Sequence, residues 1–263
     1  MPTPADRRAA YLWIAVAAIA SATWLFVPPI AQPLEYHRFA DWHTCLGIAN
    51  GWDNLTNLLF FVSGGLGLRF MFSPQGRNAF SDPREALPYS LFFVSTILVG
   101  FGSGYYHLAP DNSRLLWDRA AIMLAIASWF AAIMCERVSV TSGLRLLPLL
   151  YAAGLGSVVY WGWSEMNGHG DLRAYGLMQL YPLLLVPLLL WLYPPRYSGD
   201  RHIGIIITLY VLAMVCDFMD QPIMSVTGMI SGHTIKHIVV ALAMYWVMLR
   251  LKRRNRIQIP ART

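Results

Sequence analysis

The residues of this chain best suited to chemistry are three histidines, a serine and an aspartate. His233 and His237 stand four apart in SGHTIKHIVV, and His107 ends the stretch VGFGSGYYH. Positions i and i+4 of a helix share one face, with Cβ atoms about 5–6 Å apart, a common way to present two imidazoles to one metal ion. A third histidine from another helix would complete a His₃ set around zinc and leave a fourth position open to water. An open position marks a catalytic rather than a structural zinc, because the ion brings the pKa of that water from roughly 15.7 towards about 7. Ser103 repeats the i,i+4 spacing with His107, and Asp118 follows in LLWDRA. Asp118 would accept or orient the water proton, and Ser103 would donate to a developing oxyanion.

Each of these residues also has a plainer reading. A histidine pair on an apolar helix is often simply packed and hydrogen-bonded. Ser103 could let helices approach closely beside Gly102 and Gly104. Asp118 could cap its helix or pair with Arg119. Lys236 points away from the histidine pair on helical geometry, towards lipid headgroups or an acidic partner. His37, His43, His169 and His202 read as ordinary loop residues.

The elements that must position these groups are membrane helices. Of 263 residues 56% are hydrophobic and only 13% charged, with a mean hydropathy of +0.46; soluble domains carry about 25% charge. The 10 Trp and 13 Tyr suit membrane–water interfaces. The net charge of +6 does not indicate nucleic acid, since the basic residues are scattered and the largest cluster follows directly on an apolar helix. Hydropathy gives eight spans, at 11–31, 54–73, 87–108, 115–135, 146–164, 175–193, 203–219 and 232–251. The first follows Arg7 and Arg8 and is too long for a signal-peptide core, so it reads as a retained helix.

Loop charge then orients the chain. One set of loops carries Arg7 and Arg8, Arg77 and Arg84, Arg137 and Arg145, Arg196 and Arg201, and the basic tail; the other carries only Arg38, Arg114 and Arg173. The positive-inside rule puts both termini in the cytoplasm. Ser103, His107, Asp118, His233 and His237 then fall near the same, non-cytoplasmic face. Ionisable groups inside spans are costly and are functional candidates by default. Cys45, Cys135 and Cys216 form no CxxC pair. Cys45 and Cys216 lie near the non-cytoplasmic side, where a disulfide and two free thiols are equally compatible with the sequence.

GSGYYH, the Asp eleven residues after its His, and the late HxxxH resemble the alkaline ceramidase family. That family belongs to a wider group of membrane hydrolases that includes adiponectin-receptor-like proteins. The segment DWHTC…WDNLTNLLF also resembles the family's opening. The resemblance covers roughly residues 38–250 and implies an all-α polytopic membrane bundle, a seven-transmembrane core with one extra N-terminal transmembrane helix. Divided accordingly, 1–32 is the tail and extra helix, 33–251 the hydrolase core and 252–263 a basic cytoplasmic tail. The resemblance implies zinc on His107, His233 and His237, with Asp118 and Ser103 at the activated water. It implies hydrolysis of the amide of ceramide or another N-acyl lipid to a long-chain base and a fatty acid.

Two departures stand out. Arg119 occupies a position that is acidic in the family. The run CLGIAN lacks the acidic residues that calcium, which wants several oxygen ligands, finds in eukaryotic members, and this argues against Ca²⁺. Asp53, Asp217 and Asp220 are the oxygen donors left, and the last two read as helix-end caps. The competing classes are a receptor-like zinc protein without turnover, a transporter and a bis-histidine haem protein. Transporters tend to place polar groups near the midplane, whereas these cluster at one face. An Arg-bearing start followed at once by an apolar helix suits a bacterial inner membrane with the site near the periplasmic face. Nothing in the sequence sets an oligomeric state.

Overall fold

The computed structural model describes residues 4–257 and is all-α; among them the only β-pairings are two isolated bridges. Among the described residues, eight helices are long and apolar enough to cross a membrane. They are α1 (Pro4–Phe26), α2 (Gly51–Phe72), α3 (Ala86–Leu108), α4 (Asn112–Arg137), α5 (Val140–Met166), α6 (Arg173–Leu192), α7 (Asp200–Phe218) and α8 (Gly232–Arg253). The chain is an integral, multi-pass membrane protein.

Sequence and structure differ mainly at helix ends. The first apolar run continues to residue 31, but α1 stops at Phe26. Pro28 and Pro29 follow, and proline both lacks an N–H and disfavours helix in the residue before it. Conversely α5 begins at Val140, ahead of 146, because Ser139 caps it by accepting from the Ser142 N–H at 3.0 Å.

Packing order follows from where small residues let backbones meet. A Cβ on Gly64 of α2 would lie 2.8 Å from the Phe93 carbonyl of α3, and one on Gly102 of α3 would lie 2.7 Å from the Trp117 carbonyl of α4. These contacts require glycine and join α2 to α3 and α3 to α4. The main packed pairs continue as α4 with α5, α7 with α8, and α8 with α2, with α6 set more lightly against α4. Helix α5 lies outside on α4 and α6, and α1 lies outside on α6. Helices α6 and α7, though consecutive, are not a closely packed pair. Between them lies a cavity of about 630 Å³.

At the end of the bundle that carries both termini, Glu136 of α4 gathers a buried ionic cluster. It accepts from Arg250 Nη2 at 2.6 Å and from the Tyr89 hydroxyl at 2.5 Å, and it pairs with Arg254. All four residues are buried. The first residues of the basic tail, 252–257, are thus seated on the bundle. Arg254 stacks on Tyr197 at 3.9 Å, and the Ile257 N–H donates to the Arg196 carbonyl at 2.9 Å.

Candidate metal centre

At the opposite end α3 and α8 bring the histidines together. His107 lies in the last turn of α3 and His233 and His237 in the first two turns of α8, whose start is capped by Ser231 accepting from the Thr234 N–H. The three rings sit 4.7–5.0 Å apart, centroid to centroid, and all three residues are buried. Each offers one ring nitrogen such that the three lie within 4.8 Å of one another, and the Nε2 atoms of His107 and His233 are 3.1 Å apart. Two nitrogens bound to one zinc at about 2.0–2.1 Å would stand roughly 3.3 Å apart at a tetrahedral angle. The donor set fits a metal.

The far sides of two of the rings meet protein groups. His233 Nδ1 lies 2.7 Å from Asp217 Oδ1 of α7, and His237 Nδ1 lies 3.1 Å from the Asp53 carbonyl and 3.0 Å from Thr56 Oγ1. A carbonyl only accepts, so His237 carries its proton on Nδ1 and turns its Nε2 lone pair to the cluster, while His233 Nδ1 lies between the Asp217 carboxylate and Lys236 Nζ, which is 3.1 Å away. Carboxylate-held imidazoles of this kind are typical of metal-ligating histidines. His107 Nδ1 is buried and has no hydrogen-bond partner among the described residues.

Sequence reasoning assigned Asp217 and Asp220 to helix ends. Asp220 does serve as a cap, accepting from the backbone N–H groups of His233 and of Ala40, both at 2.8 Å. Asp217 has the different role just described. Lys236, expected to point away from the pair towards headgroups or an acid, does meet an acid, with Nζ 3.0 Å from Asp217 Oδ1, but it also stands 3.1 Å from His233 Nδ1 and lines the cavity. Phe39, unremarked in the sequence, covers His107 and His233 with ring centroids 4.4 and 4.5 Å away. We expect Asp217→Asn to lower metal affinity by about 10–100-fold while leaving the fold intact; metal titration of the purified variant reads this, and an unchanged affinity would remove Asp217 from the centre.

Ser103 and Asp118 line the cavity together with His237. The cap of α4 is Asp111, which accepts from the Arg114 N–H at 2.8 Å, and Arg119 bonds Gln32 rather than Asp118. Neither plainer role of Asp118 is therefore realised. From Lys236 to Val247 the wall of the cavity runs along α8 for about 16 Å, and apolar residues of α3, α4 and α7 face it. The polar groups stand at the head of an apolar chamber.

The opening segment is folded over the site. Asp41 accepts from the N–H groups of His43 and Trp52, at 3.0 and 2.8 Å, and Asp53 accepts from the hydroxyls of Ser231 and Thr234. These carboxylates cap and brace. Cys45, Cys135 and Cys216 are free thiols. Of the histidines read as loop residues, His202 lies within α7, where it accepts from Trp246 Nε1 at 3.1 Å, and His37 joins Tyr106 and Asn112. Burial pushes the Tyr36 phenol, beside His37, up from its usual range, so it stays protonated as a donor at the cavity wall.

No protein-family model, curated protein or solved structure matches the chain.

Proposed function

We propose that this protein is a zinc-dependent lipid amidase that cleaves the N-acyl bond of ceramide or a related N-acyl lipid. One observation carries the reading: three buried imidazoles converge, and one of them, His237, lies with Ser103 and Asp118 in the wall of a long apolar cavity. The alkaline-ceramidase resemblance of the same five positions supports the choice of reaction. Loop charge supports a topology with cytoplasmic termini and the site near the outer face, which in a bacterial inner membrane is the periplasmic one.

His107, His233 and His237 would hold the ion, which supplies Lewis acidity and a water of near-neutral pKa when bound. Asp217, through His233, sets the orientation of one ligand. The apolar walls take the acyl chain and exclude bulk water, leaving the amide at the polar head. Hydrolysis puts the oxygen of water on the acyl carbon and breaks the carbon–nitrogen bond. Asp118 takes the proton from water and returns it to the leaving amine, and Ser103 donates to the carbonyl oxygen. Purified protein is expected to release free fatty acid from ceramide in detergent, and Asp118→Asn to lower that rate by about 10²–10⁴-fold. Full activity in that variant would sink the role of Asp118. Bound metal without turnover on any N-acyl lipid would favour a receptor-like protein instead.

A further inference from the structure

Arg119 is buried within α4, with 5% of its surface exposed, and it lines the cavity one position after Asp118. Its guanidinium is held between two rings, 4.0 Å from the Trp161 centroid and 4.6 Å from that of Tyr175. Stacking satisfies the faces of a guanidinium and leaves the N–H groups at its edge to find acceptors. Nη2 donates to Gln32 Oε1 at 2.5 Å, a neutral partner. Nη1 is buried with no partner, and among the described residues no carboxylate lies within ion-pair distance.

The half-buried cations at this end of the bundle have counter-charges. Lys236 is paired with Asp217, and Arg173 with Asp171 at 2.8 Å. A buried guanidinium without a counter-charge is expensive, and rigid stacking makes its free edge a preformed fork for a carboxylate. Two more hydroxyls, those of Tyr210 and Tyr36, line the cavity.

We propose that Arg119 anchors the carboxylate of an acidic acyl lipid in the cavity. This rests on the amidase reading only in that it names its substrate class or product; the anion subsite itself needs no turnover. The carboxylate has two sources, the end of a fatty acid chain or an acidic head group joined to the acyl chain through an amide. The distinction matters because ceramide carries no such group.

The test is equilibrium binding to the purified full chain in detergent, by competition with radiolabelled oleate or N-oleoylglycine. Oleate is compared with oleyl alcohol, and N-oleoylglycine with N-oleoylethanolamine. We expect at least one acid to bind on the order of tenfold more tightly than its neutral partner, and the pair that discriminates identifies the source. Arg119→Gln should erase the preference while the neutral ligands bind as before, which also shows that the cavity is intact. Arg119→Lys, which keeps the charge and loses the fork, should retain part of it. No discrimination by the unaltered protein overturns the proposal. So does a preference that survives in Arg119→Gln, since the metal or Lys236 would then hold the acid. The same measurements on His233→Ala separate the two readings: a carboxylate preference there stands even if no amide is cleaved, and ceramide turnover without any preference leaves the amidase and removes the subsite.

Discussion

Replacing His233 with alanine should strip the metal from the protein. Unaltered protein purified without chelator is expected to carry about one ion per chain, and the variant to bind it more than 100-fold more weakly, beyond the 10–100-fold typical of an outer-shell change. The reason lies in the geometry of the first turns of α8. His233 offers Nε2 to the cluster at 3.1 Å from the same atom of His107, and it is the ring whose Nδ1 is gripped by Asp217. Removing it deletes one donor and disconnects the carboxylate from the centre. Two histidines remain, on different helices, too few for a closed or a catalytic zinc site. The measurement is metal analysis after dialysis against a competing chelator, beside His202→Ala as a histidine control distant from the centre. Equal metal content in His233→Ala and unaltered protein would refute the centre, whatever the activity.

The second large effect is expected at the other end of the bundle and concerns stability alone. Glu136 is the common acceptor for Arg250, Arg254 and Tyr89. Its replacement by glutamine leaves two buried guanidiniums facing a neutral amide. Breaking one partner of a buried ion pair typically costs about 3–5 kcal/mol, and here one residue serves two cations. A fall of about 10 °C in the thermal midpoint in detergent is expected. Arg254→Ala should cost less, because Arg250 keeps its carboxylate, while one ion pair of Glu136, the stack on Tyr197 and the seat of residues 254–257 are lost. If Glu136→Gln unfolds no earlier than Arg254→Ala, the cluster is not a keystone of the bundle. Fatty acid release should be unaffected wherever the variant remains folded, since Glu136 lies well over 20 Å along α4 from the level of Asp118, at about 1.5 Å per residue.

The spans were legible because a bilayer leaves the backbone few options: every N–H must be satisfied within the helix, so long apolar runs become helices. The histidine pair was legible because its spacing is set by one helix and needs no tertiary knowledge. The third histidine, Ser103 and Asp118 could be assigned to the same depth from topology. What a sequence does not encode locally is which helix faces which. Asp217 looked like a helix-end cap because it stands at the end of α7; its role depends on α7 packing against α8. Lys236 meets an acid, as its sequence reading allowed, but which acid it is, and that Nζ stands beside His233, follow from α7 packing on α8. The stack on Arg119 joins α4 to α5 and α6, and the cluster at Glu136 joins α3, α4 and α8, partnerships that hydropathy does not express.

The ionic cluster also has a meaning for whatever occupies the cavity. The deepest lining residues include Phe92, Trp129, Ile206 and Val247. One turn further along α3 and α8 stand Tyr89 and Arg250, which donate to Glu136. An alkyl tail descending from the histidines therefore meets a charged floor. Each methylene in the apolar shaft gains about 0.8 kcal/mol, and each one beyond it would have to displace paired ions. The shaft is a measuring rod: affinity should climb with chain length, reach a plateau and then fall, and a series of saturated acyl chains would reveal where its graduations end.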